Sequence, residues 1–364
     1  MLISLIRFFI CCAAWIVPYG YAQDVLVEPP TTLHPNSRWT AVAWEDIPNA
    51  FDDNPREAVS AWLASCARPH PLWRKACSEL SAIKNADTEV IRIWMMSRLQ
   101  PYRIEPLTAG SASSNAGLLT GYYEPVLPAR READATFRHP LYRLPADLER
   151  AGSTRQWFAR QDIDTAGSQA QQALQGRAIA YLQSPLDVLA LQIQGSGQLD
   201  LERADGTHLR IRLAFAGSNN LPYKSVGVWL RDTHGVRDLS WPGIKAWAQN
   251  NPDQMDRLMW SNPRVVFFKE RPASSEGPVG AQGVPLTAGR SIAVDPKSIP
   301  YGTPVWLTSS GASVNLNRLV LAQDTGAAIV GAVRADYYVG SGDAAGEIAG
   351  RLKQSLQMWV LWPK

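Results

Sequence analysis

The sequence predicts an α+β protein that is mainly β, with a helical N-terminal part. Three observations carry this. Between Ser291 and Leu361, short β-type apolar runs alternate with Gly, Pro and Thr breaks, the pattern of a small barrel. Between Asn54 and Leu99, apolar residues recur at helical spacing instead. In the middle of the chain, Asp205-Gly206 separates two alternating segments, a hairpin signal. The chain has 364 residues, 46% hydrophobic and 19% charged, an ordinary globular composition long enough for two domains.

The elements follow in order. A Pro/Thr/Trp-containing lead-in to Pro48 ends in a strand-like segment. Asn54-Pro55-Arg56 opens a helix to about Ala64, with Ala58, Trp62 and Leu63 apolar. A longer helical pattern runs from Leu72 to Leu99 through Leu80, Ile83, Val90, Ile91, Trp94 and Met95, and Pro101 stops it. The character turns to β at Leu118, where Gly121-Tyr122-Tyr123-Glu124-Pro125 forms an aromatic turn. HPLYRLP is a strand-like piece in a polar stretch from Arg130 to Gln175. Within Ala178–Gln192, SPLDVLALQ reads as helix and runs into the hairpin strands. A polar loop, Gly217–Gly227, precedes helical patterns at Pro242–Gln249 and Pro252–Trp260 and the strand RVVFF. RPASSEGPVGAQGVPLTAG then reads as a linker or crossover. Short strands follow at Ser291–Val294, Thr303–Leu307, Arg318–Ala322 and Ala332–Ala335, then a helix at Ala344–Lys353 and a closing strand at Met358–Leu361.

The N-terminus carries Arg7, an apolar run from Phe8 to Val17 and the small-residue pattern Gly20-Tyr21-Ala22. This predicts a secretory signal over residues 1–22; the run is shorter than the ~20 residues of a membrane span. Phe8, Phe9 and Ile10 stand where a lipobox would precede Cys11 and Cys12, so no lipid anchor is evident. An exported compartment permits a structural disulfide between the remaining cysteines, Cys66 and Cys77. A net charge of +3 with no Lys/Arg run gives no case for nucleic acid. The 14 Trp suit sugar stacking, but core packing is the better reading for most of them.

Elimination narrows the chemistry. Gln194-Gly195-Ser196-Gly197 lacks the first glycine of a nucleophile elbow. The five histidines are scattered without metal-ligand spacing. No phosphate loop or dinucleotide fingerprint occurs, and no cofactor or metal is implied. Carboxylate chemistry in an aromatic-lined site remains, which fits glycoside cleavage. Asp295, Asp324 and Asp336 each follow a β-type run and precede Gly, Pro or Thr. Any one of them alone reads as a turn or cap residue; three in one short region point to a site. Glu124, Asp187, Asp200 and Asp205 are further candidates. Asp205 is better explained by its hairpin and Asp187 by a first helical turn, and Glu124 reads equally well as a turn carboxylate.

The ordered motifs GYYEP, LQIQGSG, AGSNNLPYKSVG, VVFFKE, GVPLTAGRSIAVDPKSIPYGTPVWL, AQDTGAAIVGAVRADYYVGSG and WVLWP resemble the membrane-bound lytic murein transglycosylase A family, with its C-terminal three-aspartate (3D) domain. The resemblance runs from about Leu118 to the end. It implies a double-psi β-barrel built from residues 23–124 and 276–364, a β-rich insert over 125–275, and a substrate groove between them. It also implies cleavage of the β-1,4 bond between N-acetylmuramic acid and N-acetylglucosamine in peptidoglycan, leaving a 1,6-anhydro end. In that chemistry one carboxyl suffices, because the muramic C6 hydroxyl replaces water as nucleophile.

The family pattern places the acid at Asp336, with Asp295 and Asp324 in support and Tyr337 packed beside the acid. Tyr122, Tyr123, Gln194, Ser196 and Tyr337 become the expected sugar contacts. Glycan strands are the expected partner, and a cell-wall synthesis or division complex is a further one that the resemblance allows. The expected location is the periplasm of a Gram-negative envelope, with outer-membrane association left open. Two alternatives stand beside this: a catalytically inactive peptidoglycan-binding scaffold, and a conventional muramidase with a second carboxylate.

Overall fold

The computed structural model describes residues 30–107, 117–149, 154–203, 205–312 and 314–364. The expected signal segment, residues 1–22, lies outside these. The chain opens with a hairpin, β1 (Thr31–His34) and β2 (Ser37–Ala41). Three helices follow: α1 (Val59–Cys66), α2 (Arg74–Ala82) and α3 (Thr88–Arg98). The single long helix expected over Leu72–Leu99 is therefore two. The polar stretch Lys84-Asn85-Ala86-Asp87 ends the first, and the Asp87 carboxylate accepts from the Val90 N–H at 3.0 Å, a cap that starts the second. Helix α3 ends where the stop was expected, but the chain runs directly into β3 (Leu99–Pro106), a strand the helical pattern hid.

The middle of the chain comprises β4 (Gly117–Glu124), β5 (Val126–Ala129), β6 (His139–Tyr142), short helices α4 (Ala146–Glu149), α5 (Arg160–Asp164) and α6 (Gln169–Ala173), and β7 (Ala178–Leu182). Then come α7 (Pro185–Gln194), the hairpin β8 (Ser196–Glu202) and β9 (His208–Ser218), helices α8 (Val226–His234), α9 (Trp241–Asn250) and α10 (Met255–Trp260), and β10 (Val266–Pro272). The final part holds β11 (Ser291–Val294), β12 (Pro304–Ser310), β13 (Asn315–Asp324), β14 (Arg334–Ser341), α11 (Asp343–Arg351) and β15 (Lys353–Pro363).

Among the described residues the largest sheet runs β1-β2-β3-β15-β12-β13-β11-β14-β4, and β15 also pairs with β4. That second pairing closes six strands into a barrel, β4-β14-β11-β13-β12-β15. Two of its pairs are parallel, β4 with β14 and β11 with β13. The fold is α+β: a double-psi barrel whose strand β4 precedes, and whose other five strands follow, an insert of mixed helices and strands. The insert has a sheet ordered β10-β9-β8-β5 and a β6-β7 ribbon.

Alternation along the strands decides which residues face where. Val305, Leu307, Val320, Ala322, Met358 and Val360 point into the barrel. Their neighbours Trp306, Leu319, Leu321, Trp359 and Leu361 point outward and are covered by α1, α2 and α3. Trp62 makes edge contacts with Trp73 at 5.8 Å and Trp94 at 5.4 Å in that layer, so much of the tryptophan surplus is core. Polar ties hold the layer in place. Arg290, buried, pairs with Asp53 and with Glu57 at 2.6 Å. Gln323, also buried, donates to Ala61 O at 2.7 Å and to Ser65 Oγ at 2.8 Å. Next to Ser65, Cys66 is bonded to Cys77, with 5.6 Å between Cα atoms, joining the end of α1 to α2.

Insert and barrel meet at the end of β4. Glu124, fully buried, is held by Arg212 of β9 at 2.7 Å, by Gln198 of β8 at 2.7 Å and by Ser341 of β14 at 2.9 Å. The candidate second carboxylate is thus a structural ion pair. A charge buried there is tolerable because Oε2 collects the hydrogen bonds from Gln198, Ser341 and Arg212 Nη2, while Oε1 has the Arg212 charge beside it but no aligned hydrogen bond.

Candidate active site

Asp336 lies in the middle of β14, flanked in register by Thr120 of β4 and Ala293 of β11. Ala293 is also in register with Asp324 at the end of β13, so two of the three aspartates sit on either side of one strand. At a strand spacing of ~4.8 Å this sets their Cα atoms ~10 Å apart. Asp295 follows β11 directly. The barrel therefore gathers all three aspartates, but it gives them different surroundings.

Asp336 is half-buried, and its Oδ1 accepts a hydrogen bond from the Thr120 hydroxyl at 2.5 Å. Burial pushes its pKa up to about 6, against the opposing Thr120 hydrogen bond and Arg334 charge and with a smaller push from Asp324. A carboxyl so placed can carry a proton at mildly acidic pH, which a donor to a glycosidic oxygen must do. Asp324 is also raised by burial; donors from Ala281 N–H and Thr325 N–H and the Tyr122 hydroxyl at 3.0 Å oppose this. Tyr122 itself is pushed well above the ordinary phenol range by burial, then by Asp324 and Asp336, so it stays a neutral donor. Its ring packs on Tyr338 with centroids 5.3 Å apart.

Asp295 differs. Burial raises it, but the Gly331 N–H, the Asn36 side chain and the Lys297 N–H, each at 2.9 Å, together with the Lys297 charge, hold it below the usual carboxylate range. Its own carbonyl accepts from Ser298 and Ile299 N–H. Asp295 is an ionised clamp that ties together two backbone N–H groups and the Asn36 side chain.

The expected sugar contacts separate as well. Tyr122 shares the face of Thr120. Tyr123, its neighbour, turns to the opposite side against Gly346 of α11, where an added Cβ would come within 2.8 Å of the ring. Gln194 ends α7 and accepts from the Tyr123 N–H at 3.1 Å, and Ser196 begins β8 two residues later. Gly195 between them is left-handed, φ 76°, the conformation that ends α7 and starts the strand. Tyr337 is a correction. It faces the barrel core, 6% exposed, accepting from Arg318 at 3.0 Å and donating to Gly289 O at 2.9 Å. Adjacent residues of a strand point to opposite faces, so Tyr337 can neither pack against the Asp336 carboxyl nor meet a sugar.

Thr120, Arg334 and Asn36 were not singled out from the sequence. Thr120 was findable, since it lies two residues before Tyr122 in a β-type run and must share its face. Among the described residues no cluster of three or more His, Cys, Asp or Glu side chains could hold a metal, and no helix is long and apolar enough to cross a membrane.

Comparison with known proteins bears on this geometry. Residues 118–269 match the model of the MltA specific insert domain, and residues 290–362 match that of the 3D domain. An Escherichia coli K12 protein described as membrane-bound lytic murein transglycosylase A is 34% identical over 253 residues, 66% of this chain. The match spans 64% of that relative's own length. Among solved structures, the lytic transglycosylase LtgG of Burkholderia pseudomallei is 41% identical, with 93% of this chain and 98% of that one covered and a TM-score of 0.58. Escherichia coli MltA with bound chitohexaose is 26% identical, with 89% and 94% covered and a TM-score of 0.70.

Proposed function

From the premise that the chain belongs to the membrane-bound lytic murein transglycosylase A family, we propose that it cleaves the β-1,4 bond between N-acetylmuramic acid and N-acetylglucosamine in peptidoglycan and leaves a 1,6-anhydromuramic acid end. The observation that carries this reading is the protonatable Asp336 carboxyl on the barrel face beside Tyr122 and Asp324. Asp336 donates its proton to the glycosidic oxygen as the C1–O bond breaks. The muramic C6 hydroxyl then attacks C1 and gives its proton to the same carboxylate. One bond to C1 is exchanged for another, the acid is restored, and no water is consumed.

The neighbouring carboxylates favour this over hydrolysis. Glu124 is locked in its ion pair, Asp295 is committed to three donors, and Asp324 holds Tyr122 and Ala281. Each already holds structural partners, whereas the C6 hydroxyl route needs only the one carboxyl of Asp336. A carboxyl raised by burial beside the neutral Tyr122 donor suits turnover better than binding alone. The E. coli relative's complex with chitohexaose makes glycan strands the natural ligand class here. We further propose that residues 23–124 and 276–364 form the barrel domain and 125–275 the insert. Its place is the periplasm, with the membrane-bound character of the named relatives supporting an envelope location.

Digesting purified sacculi and weighing the muropeptides tests the reaction. Anhydro ends are expected; ends carrying an added water would replace this reading with a muramidase, and absence of products with a binding protein. The pH dependence follows from the acid. Its pKa is about 6, and the protonated form is the active one. Catalytic efficiency, kcat/KM, should hold below about pH 6 and fall about tenfold per unit above it. A limb rising with pH through that region would contradict the role of Asp336 as donor.

A further inference from the structure

We propose that Thr120, backed by Arg334, is a positioning residue that confines the transferable proton to one oxygen of Asp336. The inference rests on Asp336 being the proton donor. Thr120 Oγ1 accepts from Arg334 Nη2 at 2.8 Å and lies 2.5 Å from Asp336 Oδ1. A guanidinium can only donate, and a hydroxyl has one hydrogen to give. The Thr120 hydrogen therefore has one destination in this chain of contacts, Asp336 Oδ1. With Oδ1 receiving that hydrogen, the carboxyl proton resides on Oδ2. Arg334 fixes the rotor of the hydroxyl, the hydroxyl fixes the acid, and the same Oδ2 is left to give the proton and to take it back.

The arrangement also keeps a hydroxyl between the guanidinium and the carboxylate. A direct Arg–Asp pair would favour the ionised acid; a Thr in between offers the carboxylate a donor once it has formed. The other titratable groups acting on Asp336 are Asp324 of β13 and Tyr122 of β4, and neither contacts Oδ1. β11, the remaining neighbour, presents Ala293.

The test is Thr120→Val, Thr120→Ser and Asp336→Asn assayed on sacculi across pH. Valine keeps the volume and removes the donor, which favours the carboxylate form of Asp336. Its loss should move the alkaline limb of the pH profile up by about one pH unit and lower kcat about tenfold or more with KM unchanged. Serine should restore both. An unmoved limb in Thr120→Val, or no rescue by serine, overturns the proposal. Should the valine variant not fold, Arg334→Met frees the rotor and removes a cation, so its limb should also move up, and an unmoved limb overturns the proposal there too. Residual activity in Asp336→Asn would instead sink the assignment of the acid, so the two failures are distinct.

Discussion

Replacing Asp336 by asparagine should abolish turnover, by about a thousandfold or more, while leaving a protein that is folded and, at neutral pH, more stable. The amide keeps the shape and can still accept from Thr120, but it has no proton of suitable acidity to give. General acid–base groups contribute about 10²- to 10⁴-fold, and here one group serves both steps, so the upper part of that range applies. The stability gain follows from the raised pKa. Folding shifts this carboxyl from the ordinary 3.8 to about 6, so the folded state binds the proton more tightly than the unfolded one. The group therefore favours the fold at low pH, and that contribution disappears as pH rises from 3.8 through about 6. Above it, the ionised carboxylate costs about 3 kcal/mol, which asparagine removes. Denaturant unfolding should show the variant ahead at pH 7 and level with the parent near pH 3. A variant that is less stable at pH 7 would mean that Asp336 is held ionised by its surroundings and is no acid.

The second large effect is structural. Arg212→Met should destabilise the protein by about 3–5 kcal/mol, because it strands a buried carboxylate without its cation. Glu124 is fully buried, and Arg212 also donates to Ser274 Oγ at 3.1 Å in the segment returning from insert to barrel. Losing the arginine therefore loosens the join between the two parts of the chain as well as the charge pair. The double variant Glu124→Leu with Arg212→Met should recover much of the loss, since an apolar pair leaves no unpaired charge. Equilibrium unfolding of the two single variants and the double gives the coupling directly. Additive losses would mean that the pair is not the unit holding this junction.

The sequence made the chemistry more legible than its supports. The three aspartates announced themselves because each follows a β-type run and precedes a chain-breaking residue. The barrel's short strands, the 205–206 hairpin and the helical lead-in were equally visible, because each has its own period. What stayed hidden depends on contacts distant in sequence. Glu124 meets Arg212 across 88 residues and Asn36 meets Asp295 across 259, and no local pattern connects them. Strand β3 was missed because a strong helical period ran up to Leu99. Tyr337 was misplaced by proximity to Asp336 in sequence, although the period of a strand puts neighbours on opposite faces. Read with that period, Thr120 and Tyr122 belong beside the acid and Tyr337 does not.

The central claim is that the muramic C6 hydroxyl, and not water, takes the place of the leaving sugar. Digesting sacculi in heavy-oxygen water and weighing the released muropeptides measures this most directly. The account predicts anhydro ends with no heavy oxygen at the muramic C1 position. Heavy oxygen appearing there in step with bond cleavage would show that water attacks, and would contradict it.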